Sequence, residues 1–193
     1  MNKNIKLLLA ASTLIHSGAN LLAPVFAIFL VNINGTLLET GVAVGIYTIL
    51  RGVFFLLFSK IKEIKFSRKA MMAWGYTIMG FVYIGYVGVE NLYQVFILQV
   101  ILSFGESIIT PSWSATLAIG LTKGREREIY AKFYGYRSIF EGTAAIIGAY
   151  FAMTFGFTVV FSLMAGIAFT ASLLVLFVDL TADGQPDWTC GGI

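Results

Sequence analysis

The chain has one cysteine, one histidine, three prolines and few charges in 193 residues. Cys190 alone can form no internal disulfide, thiolate metal cluster or redox pair. His16 has no second histidine to share a metal or haem, and no G-x-S-x-G-like element stands opposite it for serine chemistry. A phosphate-binding loop is also missing, so ATP hydrolysis by this chain is not expected. These absences argue against an enzyme and predict neither a metal nor a cofactor. Charged residues make up only 12% of the chain and apolar ones 58%, against about 25% and 45 to 50% in soluble domains. A soluble globule could not cover itself with so little charge, and the mean hydropathy of +0.85 points to lipid.

The apolar stretches run over 5–31, 40–58, 70–89, 92–121, 129–154 and 157–180, each at or near the roughly 20 residues that cross a bilayer as a helix. Six spans follow. The first is too long, and too polar at His16, Ser17 and Asn20, for a signal peptide, and reads as a retained helix. One six-span domain over residues 1–180 and a short polar tail over 181–193, acidic and without Lys or Arg, are expected.

Basic residues fix the orientation. Lys3 and Lys6 precede span one; Lys60, Lys62, Lys65, Arg68 and Lys69 separate spans two and three; Lys123, Arg125, Arg127 and Lys132 separate spans four and five. The alternate loops, around Asn34, Asn91 and Gly156, carry none, which places both termini in the cytoplasm of a multi-pass cell-membrane protein. The basic loops are short and mixed with Glu63, Glu126 and Glu128, so nucleic acid is not an expected partner.

Four charges lie inside the spans: Arg51, Glu106, Arg137 and Glu141. Each costs about 2.5 to 3.5 kcal/mol at the centre of a lipid-facing helix, so they must face one another, water or a solute. Residues three, four or seven apart share a helix face. On that rule Tyr130, Tyr134, Arg137, Glu141, Ala144 and Gly148 form one stripe, Gln99, Ser103, Glu106, Thr110 and Trp113 a second. Span one offers Thr13, His16, Asn20 and Ala23, and span two Tyr47, Arg51 and Phe58. Spans three and six carry no Asp, Glu, Lys, Arg or His in their cores. Gly135, Gly142 and Ala149 make an opposite stripe on span five suited to close helix contact.

The pattern repeats. A polar span with Pro24, a span with Arg51 and an uncharged span are followed by a polar span with Pro111, a span with Arg137 and an uncharged span. Three is odd, so the second triplet is inserted upside down, giving a 3+3 inverted repeat with its site near the midplane.

The run Gln99-Val-Ile-Leu-Ser-Phe-Gly105, Pro111, the basic loop Lys123-Gly-Arg-Glu-Arg127, Tyr134-Gly135 and the turn Phe155-Gly-Phe157 resemble the fourth to sixth helices of the major facilitator superfamily. The superfamily's loop G-x-x-x-D-R-x-G-R-R/K corresponds here to Ser59 through Lys69. Glu63 stands where the Asp belongs, Ser59 and Ser67 replace the glycines, and Arg68 and Lys69 close the motif after one extra residue. Gln99 replaces the usual arginine of the fourth helix, and Ala144-Ala145-x-x-Gly148-Ala149 stands for the proline-glycine motif of the fifth. The resemblance implies an all-α membrane protein in which helices one, two, four and five line a cavity while three and six stand outside. It also implies two six-helix halves, of which this chain supplies one.

The expected function is therefore secondary active transport of a small solute, with protons as the candidate coupling ion, by a half-transporter needing a second six-helix unit. That unit is a second copy or another six-span chain. The alternative is a non-transporting membrane assembly partner or a truncated remnant of a full-length transporter. The expected pathway residues are His16, Asn20, Tyr47, Arg51, Gln99, Glu106, Tyr134, Arg137 and Glu141. At ~1.5 Å per residue the two glutamates lie about 18 to 22 Å deep and the arginines about 12 Å. Acids near the midplane are candidate proton carriers, and arginines below them suit an anionic solute. Plainer roles stand beside these: Arg137 and Glu141 as a self-neutralising structural pair, His16 as an interior histidine, Tyr83, Tyr86 and Tyr93 as interfacial anchors, and Pro24 and Pro111 as tolerated kinks.

Overall fold

The computed structural model describes residues 3–60, 67–119, 124 and 126–177. The tail over 181–193 and Glu63 of the loop motif lie outside them. All described secondary structure is helical: α1 (Lys3–Asn20), a 3₁₀ turn (Ala23–Val25), α2 (Phe26–Asn32), α3 (Leu37–Phe58), α4 (Arg68–Val87), α5 (Leu92–Ile119), α6 (Glu126–Phe155) and α7 (Phe157–Leu176). Six segments are long and apolar enough to cross a membrane, with the second half of α1, the 3₁₀ turn and α2 together making the first, Ser12–Asn32. This is a multi-pass membrane protein.

The two internal prolines behave differently. Pro24 has no N–H to continue the α1 ladder, and the chain tightens there, with Leu21 and Val25 donating to the carbonyls of Gly18 and Leu22 at 3.1 and 2.9 Å. Pro111 sits inside a continuous α5. The start of α3 is sealed by a capping box. The Thr36 N–H donates to Glu39 Oε2 at 2.7 Å and the Glu39 N–H returns to Thr36 Oγ1. Between α6 and α7 the link is Gly156 alone, at φ +82°, a conformation that favours glycine.

Neighbour relations show the inverted repeat. α3 packs on α5 as α6 packs on α1, α5 packs on α4 as α1 packs on α7, and α4 packs on α7 at the centre. Each relation maps onto another when the first triplet is exchanged for the second. Contacts at the α4 crossings are close: a methyl added to Gly75 would lie 2.8 Å from the Gly105 carbonyl, and Ser172 donates to the Ala73 carbonyl at 3.0 Å. On α6, a methyl added to Gly148 would overlap the Leu21 carbonyl, so α6 is docked against the break in span one.

α4 and α7 supply most of this unit's core, because their small and apolar faces interlock without any charge to accommodate. One expectation needs correction. Tyr83 and Tyr86 are not interfacial anchors but core residues, 3% exposed, with Tyr86 stacked on Phe161 at 4.9 Å. Tyr93 is exposed. By contrast α3 and α6 are the least buried spans, and Gly135 and Gly142, expected in close helix contact, face open space within the chain.

Candidate functional site

The interior charges meet where α3 crosses α5. Arg51 Nη1 lies 3.0 Å from Glu106 Oε1, an ion pair between helices, and the same nitrogen donates to the Tyr47 hydroxyl at 3.0 Å. Tyr47 in turn donates to Glu106 Oε2. Tyr47 and Arg51 are one helical turn apart, so a single face of α3 presents both donors to one carboxylate. Ser107, buried one residue past Glu106, donates to the Ser103 carbonyl at 2.6 Å and approaches the Arg51 carbonyl at 3.3 Å, tying the α3 backbone to α5.

The second repeat handles its arginine differently. Arg137 Nε donates to Glu141 Oε1 at 2.6 Å within α6. The offset between Pro24 and Pro111 is also that between Tyr47 and Tyr134, and it sets Ala19 of span one against Glu106 of span four and Asn20 against Ser107. Span one thus has no acid for Arg137. Asn20 instead donates to the His16 carbonyl at 2.9 Å.

Two cavities flank the Glu106 cluster. One, of about 360 Å³, lies on the side away from the basic loops and is lined by Asn20, Tyr47, Gln99 and Glu106 with Tyr83, Tyr86 and Met164 among its apolar walls. The other, of about 290 Å³, lies toward the basic loops and is lined by His16, Arg51, Glu106, Trp113, Tyr134 and Arg137. Glu106 borders both. Every expected pathway residue but Glu141 therefore lines one cavity or the other, and Glu141 is hydrogen-bonded to Arg137 of the basic-side lining.

Ser59 caps α3 and donates to the Leu56 carbonyl at 2.8 Å, Ser67 precedes α4 without a side-chain cap, and Arg68 and Lys69 begin that helix. Among the described residues no group of His, Cys, Asp and Glu could hold a metal ion.

Sequence reasoning missed Tyr76, Tyr83 and Tyr86 as cavity walls, since uncharged spans were assigned no lining role. Trp113 was legible on the Glu106 stripe, and its place in the basic-side cavity follows the same period.

Comparison with known proteins adds three findings. The family model of the major facilitator superfamily matches residues 8–187. Among solved structures, the in meso crystal structure of the POT family transporter PepTSo is similar, with a TM-score of 0.68 and 16% identity over 91% of this chain. That likeness is one of fold, and this chain spans 37% of that structure's length. No curated protein matches in sequence.

Proposed function

This chain belongs to the major facilitator superfamily, and from that premise we propose that it is one six-helix half of a secondary transporter that moves a small solute with protons. The observation that carries this is the position of Glu106, which borders a cavity on each side and is held by Tyr47 and Arg51 between them. A group exposed in turn to each cavity can exchange a proton with either, and an acid held by an arginine near the midplane is the usual mark of an ion or proton path. Glu141 serves by orienting Arg137, and His16, Asn20, Gln99 and Tyr134 complete the lining.

The missing half is a second copy of this chain, seated on α3 and α6. Those helices are the least buried, and Gly41, Gly45 and Gly52 on α3, with Gly135 and Gly142 on α6, meet nothing within 4 Å. Two such faces allow the close backbone approach that joins helices in lipid. With the basic loops inside, both termini are cytoplasmic.

The test is reconstitution. Proteoliposomes holding a pH-sensitive dye should show solute-dependent proton entry for some members of a panel of small metabolites, and Glu106→Gln should abolish it in inserted protein. Proton entry that survives in Glu106→Gln would refute the coupling role.

A further inference from the structure

The basic-side cavity has more donors than its own acceptors use. Arg51 donates to protein only through Nη1 and Arg137 only through Nε, so the rest of each guanidinium takes no protein acceptor among the described residues. Trp113, nine-tenths buried, lines the same cavity, and its indole N–H has no partner among the described residues. An unpaired buried N–H is costly, and it is satisfied by an acceptor brought from outside.

The charges on this wall already cancel. Arg51 is matched by Glu106 and Arg137 by Glu141. A neutral solute would leave the spare donors of two arginines poorly used, whereas an anion entering alone would leave one uncompensated negative charge away from water. The conflict is removed if one carboxylate takes a proton. Glu106 is the carboxylate that borders the cavity, and Glu141 does not. The titratable and charged groups around Glu106 are Tyr47 and Arg51 from α3, His16 from α1, Tyr76 from α4, and Tyr134 and Arg137 from α6. On the far side stand Tyr83 and Tyr86. None of these is a second acid.

We propose that the basic-side cavity binds a small organic monoanion, a carboxylate on an apolar body, and that Glu106 takes up one proton from solvent as it binds. The ligand carboxylate accepts from Arg51, Arg137 and Trp113 in place of the Glu106 carboxylate, and the protonated Glu106 donates or turns toward Tyr47. Phe55, Ile109 and the Trp113 ring receive the apolar body. A volume of about 290 Å³ is at the small end for ligand pockets and suits a molecule of one ring or a short chain. This names the substrate class of the proposed transporter and rests on that function for its purpose, although binding needs no gradient.

The experiment uses the full chain in mild detergent carrying Trp74→Phe and Trp188→Phe, so that Trp113 is the sole indole. Benzoate, octanoate and lactate are titrated against Trp113 emission, with benzamide as the neutral counterpart of benzoate. Calorimetry in two buffers of different ionisation enthalpy counts the protons taken up. At least one carboxylate should bind saturably; where it is benzoate, benzamide should bind at least tenfold more weakly. About one proton should enter per carboxylate. Glu106→Gln should still bind the carboxylate with about zero proton uptake, and Arg51→Gln should lose at least tenfold in affinity with its helical content intact. Benzamide binding as well as benzoate, carboxylate binding without proton uptake, or no saturable binding of any of the three acids would each overturn the proposal. Carboxylate binding with proton uptake but no transport of that acid into proteoliposomes would defeat the transport function alone. Proton-coupled transport of other solutes with no carboxylate binding would do the reverse.

Discussion

Arg51 crosses from α3 to α5 to meet Glu106 at 3.0 Å, while Arg137, its counterpart in the second repeat, turns back to Glu141 on its own helix at 2.6 Å. Of the interior charges, the first triplet of the repeat carries Arg51 and the second carries Glu106, Arg137 and Glu141, and the two arginines are paired with different consequences: one pair joins helices, and the other leaves its helix free of a charged bond to span one. Unequal responses to equivalent substitutions follow from that difference.

Arg51→Ala strands a carboxylate that is 17% exposed, whereas Arg137→Ala strands one at 24% on a helix with open faces. Loss of a partner from a fully buried pair costs about 3 to 5 kcal/mol, and with Arg51 one-third exposed the expected cost is roughly 2 kcal/mol. Arg137→Ala should cost less, about 1 kcal/mol or below. Thermal unfolding in detergent measures both. Arg51→Leu combined with Glu106→Leu should recover most of the lost stability, since apolar replacement of a whole pair removes its desolvation cost; a double variant as unstable as Arg51→Ala would show the pair is not the cause.

Gly148→Val should prevent folding or cost more than about 3 kcal/mol, because its side chain would enter the backbone at Leu21. Gly142→Val, in open space on the same helix, should change monomer stability by less than about 1 kcal/mol. Size-exclusion profiles and melting curves of the two variants side by side decide the matter. Equal behaviour would mean that α6 does not dock on the break in span one.

Association should depend on the same open faces. Native mass measurement in mild detergent is expected to show two chains, and Gly142→Trp or Gly45→Trp to shift the population toward one. An active wild-type monomer would remove the need for a second unit.

Orientation is checked with single cysteines at Asn34, Asn91 and Gly124 in a Cys190→Ser background. An impermeant thiol reagent on intact cells should reach positions 34 and 91, and position 124 only after the membrane is opened. Labelling in the opposite sense would invert the protein.

Much of this was legible in the chain. Span count follows from the length of apolar runs, and the repeat from the order of Pro24, Arg51, Pro111 and Arg137. The helical period named eleven of the residues that line the two cavities. What it could not supply was which face meets which: a period of 3.6 places Glu106 on a stripe but says nothing about whether Arg51 or Arg137 will sit opposite. The same limit hid Tyr83 and Tyr86. Uncharged spans give no polar stripe to orient, so tyrosines near a helix end read as lipid anchors until α7 is found to cover them. The cap Thr36-x-x-Glu39 was available from its spacing and fixes the start of α3 three residues before the apolar run suggested.

The docking of α6 makes that helix a lever. Its far end is fixed by the single-residue link at Gly156, and Gly148 is seated on the span-one backbone. Arg137 lies eleven residues from that fulcrum, about 16 Å along the axis, so a tilt of about 5° sweeps it about 1.5 Å. Displacements of that size exchange one acceptor for another in a packed interior. The fulcrum stands beside the Pro24 turn, where span one has interrupted its own ladder, so the rigid arm and the yielding support are the same two segments that meet at Gly148 and Leu21.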